Sequence, residues 1–227
     1  MIEVDRIMTE DWGISLMQMM EQAGYRLAVL AGKRFLDADV AGKRVAILAG
    51  KGGNGGGAMV CGRLLSGWGC QVTTVLAGEP SPGSAAHQQL DILGRLEVPL
   101  ISAHEVEALP QQNLIIDGMV GYGLAGALRG DLAGLAKWVN SQSVPVLSLD
   151  VPTGIDANLG RQNALCVMAT ATLTLALPKV GLLATGAKSH VGELYLADIG
   201  VPRSVFSRLQ PPIPEPDISW KEGLLRL

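Results

Sequence analysis

The sequence predicts a single α/β domain in which a mostly parallel β-sheet carries helices on both faces. Three observations point there. Short apolar, β-branched runs of strand length alternate with stretches of helical periodicity, and a βαβα order requires crossover connections between parallel strands. The 227 residues, 48% apolar and 17% charged, are enough to bury one core of ordinary size. A glycine-rich segment, "AGKGGNGGGAMV" from Ala49 to Val60, directly follows the first strand run, where an open parallel sheet places its ligand crevice.

Taken in order, Leu16, Met20, Ala23, Leu27 and Leu30 recur at alternating spacings of four and three, which lays them on one helix face. Ser15 and Gln18 form a capping box for that helix. The methionines of "LMQMM" read as core filling, since thioethers fit irregular gaps and no soft-metal partner lies nearby. "RVAILA" (44–49) is a buried strand, Gly50 to Gly57 a loop, and "AMVCGRLLSGWG" (58–69) a helix ending at glycine. The alternation continues with "CQVTTVLAG" as strand, "SAAHQQLDILGRL" as helix, "NLIID" (113–117) as strand, "DLAGLAKWVNSQ" as helix and "VPVLSLD" (144–150) as strand. "ATLTLALP" and "ELYLADIG" supply two later strands. The main domain is drawn over 1–203, and the proline-rich remainder, 204–227, reads as an extension packed on the surface or a docking arm.

Composition narrows the partners. A net charge of -3 without a run of like charges argues against nucleic acid and against an anionic membrane surface. The opening "MIEVDRIMTEDWG" lacks an apolar signal core and no uncharged apolar run approaches the roughly 20 residues of a membrane span, so the expected location is cytoplasmic. Cys61, Cys70 and Cys166 lack CxxC spacing and an even count, and are expected as buried thiols.

Several chemistries remain for the glycine segment. Gly50, Gly52 and Gly55 satisfy GxGxxG, yet six glycines make a chance match easy, and the only acid near the end of the next strand is Glu79. No Lys-Ser or Lys-Thr pair follows the glycines, so the Walker A arrangement fails. A turn that serves only close strand-to-helix packing is the bland alternative. Asp117 and Asp150 each close an apolar strand, where a carboxylate can be desolvated, ligate a cation, or merely cap a loop. His87, His104 and His190 accompany no GxSxG pattern and are expected at the surface.

The chain resembles the YjeF N-terminal family, whose enzymes are NAD(P)H-hydrate epimerases. Met20-Glu21-Gln22-Ala23-Gly24 is similar to the family's MENAG, "AGKGGNGGGAMVCGRLL" to AGxGNNGGDGxxxARxL, "IIDGMVGYGL" to xxDAxxGTGL, and "VLSLDVPTGIDANLG" to DxPSGxxAxxG. "TLTLALPKVGLL" and "VGELYLADIGVP" resemble the closing PKxGL and VGxxxxxDIGxP elements. The resemblance implies a three-layer, Rossmann-like α/β/α sandwich that interconverts the R and S forms of hydrated NADH or NADPH. It implies a substrate site at Gly53, Asn54, Gly55, Gly56, Gly57, Gly121, Gly123, Leu124 and Asp150, with Asp150 as the acid-base group. It implies one potassium ion held by Asn54, Asp117 and Thr153, a homodimer, and a separate ATP- or ADP-dependent dehydratase in the same pathway. Lys179 of "PKVG" stays outside the site, because a strand-end lysine is ordinarily solvated. The chain departs from the family at Gly53 and Gly57, which replace an amide and a carboxylate, and at Tyr122, which replaces a threonine. A non-catalytic YjeF-type nucleotide-binding or scaffold module is therefore the alternative function.

Overall fold

A computed structural model describes residues 1–124, 126–161, 164–214, 216–218 and 223–227. The chain opens with a short helix α1 (Ile2–Arg6) running into a turn of π-helix (Ile7–Asp11). The long helix α2 (Leu16–Phe35) begins at the expected capping box, with Ser15 N donating to Gln18 Oε1 at 2.8 Å. Met20, Ala23, Leu27 and Leu30 on its expected face are buried, while Leu16 is left exposed.

The alternating core follows: β1 (Arg44–Ala49), α3 (Gly53–Gly67), β2 (Gln71–Leu76), α4 (Ala85–Arg95), β3 (Leu100–Ser102), β4 (Leu114–Gly118), α5 (Gly130–Ser141) and β5 (Val146–Leu149). Then come β6 (Ala171–Leu175), two single-turn helices α6 (Val180–Leu183) and α7 (Lys188–Val191), β7 (Glu193–Ala197), α8 (Arg203–Arg208) and β8 (Leu224–Arg226). They build one eight-stranded sheet in the order β3-β2-β1-β4-β5-β6-β7-β8, parallel from β3 through β7.

The layers follow from strand periodicity. Val45, Ile47 and Ala49 pack into the core that holds Leu27 of α2, Met59 of α3 and Leu93 of α4. Ala46 and Leu48 pack with Leu135 and Val139 of α5 on the other face. Because β1 is flanked by β2 on one side and β4 on the other, the connections leaving β1 and β4 diverge to opposite faces, and a crevice opens between their carboxyl ends.

The structure adds short helices that the sequence pattern does not show, at α1, α6 and α7, and differs from it in three larger features. Helix α3 starts at Gly53, so Asn54 and the glycines after it form its first turn instead of a loop. The three-residue edge strand β3 was not expected. The tail does more than lie on the surface: α8 crosses the boundary drawn at 203, and β8 pairs antiparallel with β7, matching Tyr195 to Arg226 and Ala197 to Leu224. The chain end consequently runs toward the amino end of the strands, where Leu227 N donates to Leu194 O at 2.9 Å.

Candidate active site

Glycines set the geometry of the crevice by letting backbones touch. A Cβ on Gly50 would lie 1.8 Å from Met119 O, and one on Gly55 would lie 1.8 Å from Gly50 O. The turn from β1 into α3 can therefore nest against the end of β4, a contact that side chains would forbid. The first N–H groups of α3 have no partner inside the helix and carry its partial positive charge, which suits an anion. Nesting also brings Asn54 within reach of β5, where its Nδ2 donates to Leu149 O at 3.2 Å.

Asp117 is the penultimate residue of β4 and is fully buried. Its Oδ1 accepts from Thr153 Oγ1 at 2.7 Å and Met119 N at 3.3 Å, and its Oδ2 from Ser148 Oγ at 2.8 Å and Thr153 N at 2.9 Å. Burial pushes this carboxyl above the usual range, against the pull of the Thr153 and Ser148 hydrogen bonds. No cationic side chain among the described residues pairs with it.

Asp150 follows β5 with a left-handed backbone, φ 67°, a conformation uncommon in non-glycine residues and more often taken by aspartate than by most. Its Oδ2 accepts from Tyr122 N at 3.1 Å, and its Oδ1 from Lys179 Nζ. Lys179 is thus not solvated as expected. It is 7% exposed, and its Nζ also donates to Leu175 O at 2.9 Å. The backbone N–H of Tyr122 holds Asp150, while its hydroxyl donates to Asp5 Oδ2 at 2.5 Å and ties α1 to the site. Burial and then the Asp5 carboxylate raise the phenol's pKa.

These strand ends enclose a cavity of about 890 Å³, within the size range of small-molecule sites. Gly53, Asn54, Gly57, Gly121, Gly123 and Asp150 line it, and Met1, Asp5, Arg6 and Thr9 close one side. Gly121 marks the convergence point: a Cβ there would sit 2.9 Å from Asp150 Oδ2 and 3.2 Å from Asn54 Oδ1. The other residues named from the sequence lie away from this wall. Gly55 packs on Gly50, and Gly56 faces Met20 and Ala86, so both serve close packing. Leu124 packs against the α5-side core, and Asp117 and Thr153 sit buried behind the wall.

A potassium ion fits the chemistry of this donor set. Asp117, Thr153 and Asn54 offer oxygen alone, as a hard cation requires. Asn54 Oδ1 accepts no hydrogen bond from the described residues, and the Asp117 carboxylate lacks a positive neighbour. Sequence reasoning missed three participants: Ser148, Asp5 and Lys179. Ser148 carried a usable signal, since it lies within a strand near its carboxyl end, whereas nothing local marks Lys179 as buried. Asp5 carried none.

Fold and site together define a doubly wound α/β protein with an enclosed, carboxylate-bearing ligand crevice at the switch point of its sheet. Residues 16–181 match the family described as YjeF-related protein N-terminus. The chain belongs to that family. It is 39% identical to an NAD(P)H-hydrate epimerase of Dehalogenimonas lykanthroporepellens over 211 residues, 92% of this chain and 82% of that protein. It is 33% identical to a bifunctional NAD(P)H-hydrate repair enzyme Nnr of Moorella thermoacetica, over 90% of this chain but 40% of that longer protein. The crystal structure of yeast ynu0, YNL200c, shares the fold with a TM-score of 0.80 at 24% identity, covering 100% of this chain and 96% of the yeast one.

Proposed function

We infer that this chain is an NAD(P)H-hydrate epimerase, an isomerase that interconverts the R and S forms of NADH or NADPH hydrated on the nicotinamide ring. The observation that carries the reading is the Asp150 carboxylate at the wall of the cavity, fixed on both oxygens, in a chain 39% identical over nearly its whole length to a protein of that name. Apart from the substitutions at Gly53 and Gly57, no observation favours the non-catalytic alternative.

The hydrated carbon bears a hydroxyl next to the ring nitrogen. Protonated, that hydroxyl leaves as water while the nitrogen's electron pair forms a planar iminium. Water then adds to the opposite face and gives up a proton. The proton that the departing hydroxyl takes up is the one that the incoming water gives back, and Asp150 is the wall group that relays it between them. The first turn of α3, bare at Gly53, receives the dinucleotide's phosphates. Asn54, Asp117 and Thr153 would hold a potassium ion, which when bound supplies a fixed positive charge beside a buried carboxylate. Three buried cysteines suit a reducing compartment, in support of a cytoplasmic enzyme. The Moorella relative extends well beyond the match, leaving room for the second of its two functions; here a separate dehydratase would consume the product.

The test supplies purified protein with the epimer that a stereospecific dehydratase cannot use, with potassium or sodium. Acceleration over spontaneous epimerisation is expected, larger in potassium. Asp150→Asn should lower it by roughly 10²–10⁴-fold. A folded wild type that gives no acceleration overturns the reading.

A further inference from the structure

We propose that Lys179 is the positioning residue of this site, acting on the reaction solely through Asp150. The inference rests on the epimerase reading. Lysine is rarely buried without a task, yet the Lys179 side chain is 6% exposed and that of Asp150 5%. Lys179 follows β6, four residues beyond Leu175, and its backbone forms the N-cap of α6. From there Nζ reaches back to Leu175 O at 2.9 Å and forward to Asp150 Oδ1.

Each oxygen of the Asp150 carboxylate therefore has its own tether. Tyr122 N holds Oδ2, the oxygen beside Gly121 at the cavity, and Lys179 holds Oδ1 from behind. Two tethers from separate elements fix the carboxylate's plane as well as its place. Asp150 has a left-handed backbone whose N–H donates to Leu173 O of β6 at 2.7 Å, and Lys179 grips its side chain from beyond the end of the same strand. Lys179 is absent from the cavity wall, where Asp150 and Leu175 appear instead. Its ammonium reaches a ligand through the carboxylate and by no direct contact.

That arrangement makes a prediction a packing role does not share. Four proteins are compared: wild type, Lys179→Met, Asp150→Asn and the double variant. Lys179→Met should lower kcat by about 10- to 100-fold, as loss of alignment does, with KM for hydrated NADPH changed less than about threefold. In the Asp150→Asn background the same change should cost nothing further, the signature of residues acting as a unit. The double variant leaves no unpaired charge behind and keeps the comparison open where Lys179→Met alone fails to fold. A folded Lys179→Met protein within twofold of wild-type kcat overturns the proposal. So does a double variant about tenfold slower than Asp150→Asn, which would show Lys179 acting on substrate by itself. Should the wild type show no turnover, the epimerase reading falls alone, and the same cycle is read by calorimetric binding of hydrated NADPH. Non-additive weakening then supports the tether and additive weakening overturns it, while a wild type that neither turns over nor binds overturns both.

Discussion

At the scale of single residues the site depends on what is missing as much as on what is present. Gly121 leaves a gap into which Asp150 Oδ2 and Asn54 Oδ1 both face, and an added methyl would sit 2.9 Å and 3.2 Å from them. Gly121→Ala should displace the carboxylate and lower kcat/KM by about 10- to 100-fold. Its thermal midpoint should stay within about 4 °C of wild type, a change worth roughly 1 kcal/mol, because the backbone at 121 needs no left-handed conformation. Steady-state kinetics beside a melting curve checks both halves. Asp117 and Asp150 were legible because each stands at the end of an apolar strand, where a ligand crevice must lie, whereas Asp5 sits in a helix. Lys179 was not, because its counter-charge stands 29 residues away and no local pattern announces a buried lysine. The glycines were half legible: their crowding marked a close approach, but not that Gly55 and Gly56 meet protein while Gly53 faces open space.

Among elements, the amino-terminal segment stands out as a wall of the cavity, held by the buried Val4, Ile7 and Met8 and by a hydrogen bond from the Tyr122 hydroxyl. Tyr122→Phe keeps the ring and the backbone grip on Asp150 but loses the hydrogen bond to Asp5. We expect KM for hydrated NADPH to rise about threefold to tenfold, in line with one bond of about 1 kcal/mol, with kcat little changed. A second tie joins α2 to β7, where Arg34 donates to both oxygens of Glu193 at 2.8 and 3.0 Å. The Arg34 hydrogen bonds, and then that of Tyr195, hold the Glu193 carboxyl at about 2, below its usual 4.5. A depressed folded-state pKa gives stability that is present above pH 4.5 and lost as pH falls toward 2. Glu193→Gln should flatten that part of the pH–stability curve, measured by denaturant melts from pH 6 down to about 2. The elements themselves were mostly legible from period and capping. The first turn of α3 is not legible in the sequence because glycine is a poor helix former, and packing against α2 and the sheet overrides that propensity. Strands β3 and β8 escaped because each has three residues, too few for alternation to register.

Over the whole molecule, strand order alone decides where the chemistry can sit, and the layered α/β architecture is readable from the βαβα order of the sequence. The carboxyl ends of the parallel strands share one rim, and the first residue, Met1, lies on it as part of the cavity wall. The last strand reverses direction and carries Leu227 to the amino end of its neighbour, beside Leu194. Met1 and Leu227 therefore lie at different poles of the fold. Anchored to a sensor chip through Leu227, the molecule should present an unobstructed mouth to solution and retain its full capacity to capture a dinucleotide. Anchored through Met1 it should lie mouth-down, and surface plasmon resonance would register that capacity falling toward zero.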